Sequence, residues 1–162
     1  MKFVEKMFNI ETVDAHCDIP CGIYDPITAQ IAALTTVRMI DQMKETLDGD
    51  ADEMAKKNKF ARLVAVKEEH AEKAKHEIRI IWGDFIKPEH IEKYPNIHEL
   101  THTIMMLGSK VRQGVNREDA VEFVEKINEF AKIFWEIKGE EVIEKEAPYA
   151  PNLKLVYRKF NV

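Results

Sequence analysis

Four stretches of the chain carry apolar residues at the spacing of an amphipathic α-helix, and this pattern constrains the fold more than any other feature. The first opens at Asp25-Pro26, an N-capping residue followed by a proline suited to the first helical position. The second runs from about Asp52 to Phe85, and Pro88 stops it. The apolar stripe of the first comprises Ile27, Ile31, Leu34, Ile40, Met43 and Leu47.

Two further helices follow in the second half of the chain. The third carries apolar residues from Ile97 to Val111 and ends near Gly114, while Asn116 caps the fourth and Gly139 closes it. Six glycines and six prolines are few for 162 residues, which favours long helices over a turn-rich β fold. Four helices with short connections predict an all-α fold, an antiparallel up-down-up-down four-helix bundle over residues 25–139.

The C-terminal extension, residues 140–162, has a different character. Its APYAP segment contains two prolines, and NLKLVYRKF has some β propensity. The sequence leaves two arrangements open, in which this extension either lies on the bundle or pairs with a neighbouring subunit.

Charge and hydropathy exclude several classes of protein. The net charge of −5, from 24 basic and 29 acidic residues, argues against a general nucleic-acid binder. No apolar run approaches the roughly 20 residues that span a bilayer, so no membrane association is expected. Charged residues such as Glu5 and Lys6 interrupt the N-terminus and leave no export core. These features, with two cysteines in the chain, predict a cytoplasmic protein.

Both cysteines lie in one short stretch, AHCDIPCGIYDP. Cys17 and Cys21 are separated by three residues, and His16 directly precedes the first. This spacing alone leaves a disulfide, a metal site and two ordinary thiols open. Pro20 stiffens the intervening loop and Gly22 lets the chain fold back, which favours two thiolates that converge on one point.

A metal at this stretch gains further ligands if the chain begins at His16. The α-amine of His16 is then a nitrogen donor, and the amide nitrogen of Cys17 can bind in the same chelate. Together with the thiolates of Cys17 and Cys21, these nitrogens make a planar N₂S₂ set that the His16 imidazole can approach axially. Such a set indicates Ni(II) or Cu(II), and nickel is favoured because thiolates tend to reduce Cu(II).

The same stretch resembles the nickel hook of nickel-containing superoxide dismutases. HCDIPCGIYDP differs from the family's HCDLPCGVYDP only at Ile19 and Ile23. WGDFIKPEHIEKYPNIH resembles the family's W-S-D-x-x-K-P…H-x-E-K-Y-P…H segment, and IFWEIK resembles its closing I-F-W-E-x-K. The resemblance extends from about Val13 to Lys138.

The resemblance implies a nickel-dependent enzyme that disproportionates superoxide to dioxygen and hydrogen peroxide by Ni(III)/Ni(II) cycling. It implies a homohexamer of four-helix bundles with one nickel ion per subunit. It also implies that a maturation protease removes a leader, residues 1–15, so that the hook, residues 16–24, begins with a free amine.

The resemblance also assigns roles to individual residues. His16, Cys17 and Cys21 hold the metal, and Tyr24 borders the open face of the site as a fourth catalytic residue. A supporting or substrate-guiding role falls to five further residues, Asp18, Pro20, Gly22, His70 and Lys87. For Lys87, an ordinary solvated lysine after a helix end is an equal alternative.

Three positions depart from the family pattern. The family's first-helix glutamate falls on Ala32, its partner arginine on His70, and a tyrosine near the open face on Phe85. His70 either supports the axial ligand in a different way or is a solvated helix residue. The departures leave two alternatives to the enzyme: a nickel-binding bundle without efficient turnover, and a redox sensor that forms a Cys17–Cys21 disulfide.

Two other stretches are interpreted as structural. His98 and His102 lie four residues apart, a spacing that can bind zinc, but a structural role is favoured because no carboxylate or cysteine accompanies them. The loop around residues 43–59 is longer than in the family and is expected to alter subunit contacts.

Overall fold

A computed structural model describes residues 22–159 of the chain. Four long helices, one short helix, one π-helical turn and a two-stranded sheet make up this part. The elements are α1 (Ile27–Asp48), α2 (Glu53–Ile80), the π-helical turn (Ile81–Phe85), α3 (Pro88–Lys93), α4 (Ile97–Gln113), α5 (Arg117–Ile137), β1 (Val142–Glu146) and β2 (Lys154–Arg158).

The predicted antiparallel four-helix bundle is confirmed. Helix α1 packs against α2 and α5, and α4 packs against the same two helices, so the long helices close a ring around one core. The largest core side chains that are fully buried are Phe123, Phe130, Phe134, Ile78, Ile81, Ile97, Ile104 and Ile127. None of the helices within residues 22–159 is both long and apolar enough to cross a membrane.

Side-chain caps set the start of three helices, and two of the caps, Asp25 and Asn116, are those that the sequence predicts. Each cap accepts a hydrogen bond from a backbone N–H in the first helical turn, which lacks a partner within the helix. The pairs are Asp25 Oδ1 with Ile27 N (2.8 Å), Asp52 Oδ1 with Met54 N and Ala55 N (3.0 Å each), and Asn116 Oδ1 with Asp119 N (3.1 Å). At the other end of α5, Gly139 has φ of 74°, a left-handed conformation that suits glycine.

The segment from residue 43 to residue 59 is helical except at residues 49–52, which corrects its interpretation as a long loop. Helix α1 extends to Asp48 and α2 begins at Glu53, so the connection itself is short. The added length therefore extends the helical hairpin. Two members of the predicted α1 stripe also face outward, since Ile31 is 44% and Leu47 is 61% exposed.

The end of α2 differs from the continuous helix that the sequence predicts. The α-helix stops at Ile80 and one π-helical turn follows, in which Ile86 N donates to Ile81 O at 3.3 Å. Such a turn inserts an extra residue and is frequent at functional sites. Helix α3 was also not predicted, and its start is fixed by the Lys87 N–H, which donates to His90 Nδ1 at 3.0 Å.

The C-terminal extension forms an antiparallel hairpin that lies on the bundle. In this hairpin Ile143 of β1 is opposite Tyr157 of β2, and β2 contacts α5. The buried Gln30 of α1 donates from Nε2 to the Val156 carbonyl of β2 at 3.0 Å and to Asn128 Oδ1 of α5 at 2.8 Å. The hairpin is therefore tied to two helices by hydrogen bonds as well as by packing.

A buried lysine closes the C-terminal end of α4. Lys67 of α2 is 2% exposed, and its Nζ donates to the carbonyls of Val111, Arg112 and Gly114 at 2.6, 2.7 and 2.8 Å. These three carbonyls lie at a helix end, where partial negative charge accumulates and acceptors lack partners within the helix. Lys67 therefore satisfies them with one cation.

We expect Lys67→Met to destabilise the fold by about 1–3 kcal/mol, because partly buried carbonyls lose their donor. Urea unfolding followed by circular dichroism at one fixed protein concentration measures the loss. Lys73→Met, at an exposed position of the same helix, is the matched control. Equal midpoints for the two variants would contradict this role of Lys67.

Candidate metal centre

The hook reaches the described part of the chain at Gly22. The φ of Gly22 is 71°, in the left-handed region, which agrees with the prediction that this glycine lets the chain fold back. Two residues later the Tyr24 ring packs against Phe85, with ring centroids 5.9 Å apart. The remaining predicted hook residues, His16, Cys17, Asp18, Pro20 and Cys21, lie outside the described residues.

Phe85 is the centre of an aromatic cluster beneath the hook. Its ring contacts Tyr24, stacks on the His90 ring with centroids 5.5 Å apart, and packs on Phe134 at 4.9 Å. The π-helical turn ends at Phe85, while His90 lies on α3 and Phe134 on α5. Three elements therefore meet at the base of the hook and hold Tyr24 from below.

Two lysines lie at this cluster. Lys138 Nζ is 5.0 Å from the centroid of the Phe85 ring and 5.9 Å from that of Phe134, a distance at which a cation is attracted to an aromatic face. Lys87 Nζ donates to the Asp84 carbonyl at 2.9 Å. Both side chains are exposed, so they add positive charge near Phe85 while they remain hydrated.

The segments that resemble the family are joined by specific contacts. Trp82 Nε1 donates to His98 Nδ1 at 3.0 Å, and the Tyr94 hydroxyl donates to Glu136 Oε2 at 2.9 Å. The first contact confirms the predicted structural role of His98. Within residues 22–159, no group of three histidine, cysteine or acidic side chains could hold a metal ion.

Ala32 and His70 occupy similar heights in the α1–α2 hairpin. Ala32 is 16 residues before the end of α1 (48 − 32) and His70 is 17 residues after the start of α2 (70 − 53), which places both about 25 Å from the connection. Ala32 is buried, whereas His70 is half-buried and its Nδ1 lies 2.9 Å from the Val66 carbonyl. That contact makes Nδ1 the donor and leaves Nε2 of the neutral ring as an acceptor.

Comparison with known proteins decides the family. The model of the family "Nickel-containing superoxide dismutase" matches residues 11–138, which include the whole hook and all four long helices. The chain belongs to the nickel-containing superoxide dismutase family. The C-terminal hairpin, from Val142 to Arg158, lies outside the matched residues.

Relatives of known function agree with this membership of the nickel-containing superoxide dismutase family. The chain is 35% identical over 127 residues to a superoxide dismutase [Ni] of Streptomyces coelicolor, a match that covers 78% of this chain and 91% of that protein. It is 33% identical over 126 residues to one of Streptomyces seoulensis, covering 78% and 90%. A native crystal structure of nickel superoxide dismutase superimposes with a TM-score of 0.67 at 34% identity, covering 76% of this chain and 99% of that one.

Two residues in contact with Phe85, His90 and Lys138, received no role in the sequence analysis. His90 appeared only within a quoted motif, yet it stacks on Phe85 and accepts the Lys87 N–H. Lys138 was noted only as part of a motif, yet it lies over two rings of the cluster. His90 lies three residues after Lys87, and Lys138 lies four residues after Phe134. These spacings were the available signals, because they place residues together on a helical turn.

His70→Ala tests whether this histidine replaces the family's arginine. We expect activity to fall about 10-fold and the nickel EPR signal to shift, since groups that orient a metal ligand commonly contribute 10- to 100-fold. His76→Ala, at an exposed position of the same helix, is the control. If His70→Ala leaves both the activity and the EPR signal unchanged, His70 has no role at the metal.

Proposed function

We propose that the chain, once residues 1–15 are removed, is a nickel-dependent superoxide dismutase with one nickel ion per subunit. It converts two superoxide anions and two protons to dioxygen and hydrogen peroxide. One observation carries this proposal: the family match covers residues 11–138, which include the hook sequence HCDIPCGIYDP and the four long helices.

The donor chemistry of the hook fits nickel. The α-amine of His16, the amide nitrogen of Cys17 and the thiolates of Cys17 and Cys21 would hold the ion, and the His16 imidazole would add a further nitrogen. Nitrogen and thiolate donors of this kind suit Ni(II). When bound, nickel supplies one-electron chemistry between Ni(III) and Ni(II), and electron-rich sulfur lowers the potential of that couple toward the range of superoxide.

The residues of the hook base would position the substrate. Packing on Phe85 fixes the Tyr24 ring, so its hydroxyl has a defined place from which to donate a hydrogen bond to a small oxygen species. Of the two rings in contact, Tyr24 carries a hydroxyl and Phe85 does not, so Tyr24 would supply the hydrogen-bond donor. Asp18, Pro20 and Gly22 would shape the hook that carries the ligands.

Lys87 and Lys138 would attract superoxide to the hook despite the net charge of −5. Local positive charge raises the association rate of an anion, and added salt screens the effect.

We expect Lys138→Ala to lower kcat/KM about threefold at low ionic strength, with the difference from wild type lost at high salt. Stopped-flow measurements across a salt series provide the test, with the exposed Lys57→Ala as control. A deficit that persists at high salt would assign Lys138 to packing instead.

The assembled enzyme would be a homohexamer, matured by a protease that cuts between Ala15 and His16. Exposed apolar side chains at the tip of the α1–α2 hairpin support burial between subunits, because Leu47 is 61% and Met54 is 75% exposed. The cytoplasmic location stays a prediction from the sequence.

One experiment separates this function from its alternatives. The chain is prepared to begin at His16, loaded with nickel, and assayed for superoxide decay by pulse radiolysis. Decay near the diffusion limit supports the dismutase. Tight nickel binding without turnover supports a nickel-binding bundle, which the residues at Ala32, His70 and Phe85 favour, and a reversible disulfide without metal supports a redox sensor.

A further inference from the structure

A groove made of two adjoining cavities lies along β2 of the C-terminal hairpin. Its first part is a cavity of about 220 Å³ lined by Asp25, Ile27, Trp135, Val156, Tyr157 and Arg158. Its second part is an open cavity of about 630 Å³ whose lining includes Ile143, Pro148, Tyr149, Tyr157 and Arg158. Because Tyr157 and Arg158 line both cavities, the two adjoin along β2.

The floor of this groove is rigidly held. On the bundle side, Asn128 of α5 donates from Nδ2 to the Lys154 carbonyl at 2.8 Å, and Gln30 of α1 donates to the Val156 carbonyl at 3.0 Å. Leu155 and Val156 of β2 are buried against the helices. The β2 side of the groove is therefore fixed to the bundle.

The groove suits an amphipathic segment of mixed charge. Its floor is apolar and aromatic, with Tyr149 still 45% exposed. Burial raises the pKa of Tyr157, so this phenol is uncharged at neutral pH. Charged side chains of both signs stand along the groove: Asp25, Lys145, Glu146 and Arg158.

The leader has the matching composition and is attached at the end of this groove. MKFVEKMFNIETVDA carries a group of large apolar residues between positions 3 and 10, Phe3, Val4, Met7, Phe8 and Ile10, together with basic and acidic side chains. The described chain begins at Gly22, three residues before Asp25, which lines the groove. The 12 residues from Ile10 to Gly22 span up to about 40 Å when extended, enough to cross the hairpin.

We propose that the C-terminal hairpin is the docking surface for the leader of the same chain. The proposal rests on the proposed function, in which residues 1–15 are a leader. Covalent attachment gives the leader an effective concentration in the millimolar range, so weak apolar contacts suffice for docking. The hairpin lies outside the family match and thus adds this surface to the family's bundle.

Docking of the leader determines the position of the peptide bond that the maturation protease cuts. With the leader in the groove and the chain anchored at Asp25, the Ala15–His16 peptide bond is held in the short span between two fixed points. The protease adds water across this bond, which leaves a carboxylate on Ala15 and a free amine on His16. Cleavage removes the covalent attachment of the leader, so its effective concentration falls and it dissociates.

Photo-crosslinking in the full-length precursor tests the docking. Benzoylphenylalanine is placed at position 8, and crosslinked peptides are mapped by mass spectrometry. We expect crosslinks to residues 143–158, and we expect Tyr149→Ser to reduce their yield about tenfold because it removes an exposed apolar wall of the groove. Met106→Ser on α4, where the side chain is 59% exposed against 45% for Tyr149, should leave the yield unchanged.

Two results would overturn the proposal. One is crosslinking to another surface, or a yield that Tyr149→Ser does not change. The other is crosslinking between chains in a mixture of isotopically heavy and light precursor, which would assign the groove to a neighbouring subunit. The measurement uses uncut precursor without nickel, so it can fail while a chain beginning at His16 is fully active, and it can succeed while that chain is inactive.

Discussion

A chain that carries one extra glycine before His16 is expected to lose dismutase activity by at least about 100-fold. The added residue turns the α-nitrogen of His16 from an amine into an amide, so the proposed ligand set loses its amine and the His16 ring moves away from the chain end. Groups that only orient metal ligands contribute about 10- to 100-fold, and removing a ligand should cost at least as much. Pulse radiolysis of the nickel-loaded protein measures the activity.

The glycine insertion retains every side chain of the hook and of the bundle. Circular dichroism should therefore be unchanged, and the nickel EPR spectrum should lose the signal expected of the axial imidazole. A chain beginning at His16, made by the same route, is the matched control. Full activity of the extended chain would show that the free amine is not required, and would remove the reason for a leader.

The helix boundaries could be predicted where a local interaction sets them. Asp25 and Asn116 both cap the helices that they were predicted to cap, and Gly139 has the left-handed backbone that ends α5. The π-helical turn and α3 were missed because a contact between side chain and backbone, the Lys87 N–H to His90 Nδ1, helps to determine them. Apolar periodicity likewise placed Ile31 inside, whereas its exposure depends on which faces the other helices cover.

The candidate site also combines features that adjacent residues predict with features that depend on residues distant in sequence. The predicted ligand types come from residues adjacent in sequence and stay predictions, whereas the left-handed conformation expected of Gly22 is observed, with φ of 71°. The aromatic cluster does not follow from the sequence, because Phe85 and Phe134 are 49 residues apart (134 − 85) yet lie with centroids at 4.9 Å. No pattern within either segment indicates this contact.

The C-terminal extension shows why propensity alone was insufficient. Its β character was readable, but its place on the bundle depends on Gln30 and Asn128, which lie far from it in sequence and bond its backbone. A buried glutamine on a helix face has no local signature of such a role. The structure consequently supplied the surface on which the docking of the leader is argued.

Replacing either thiolate has the other large expected effect. We expect Cys17→Ser and Cys21→Ser to weaken nickel binding by at least about 100-fold and to reduce superoxide decay to the background rate, because a neutral hydroxyl is a poor substitute for a thiolate on Ni(II). The fold should survive, since the buried core cluster in the described part of the chain runs from Ala29 to Leu155 and the hook adds only the partly buried Tyr24 to it. Isothermal titration with nickel and the radiolysis assay measure the two losses.

Ile23→Ala is the matched control for these cysteine variants, because Ile23 lies in the same hook and is 79% exposed. It should bind nickel and turn over superoxide as the wild type does. The cysteine variants also discriminate against the redox sensor, whose readout is a disulfide and not a metal. In a redox sensor, reversible disulfide formation does not require nickel, and both variants would abolish it. In a dismutase, both variants lose nickel binding and superoxide turnover together. Nickel binding that survives Cys21→Ser at full strength would contradict the ligand set on which the proposed function depends.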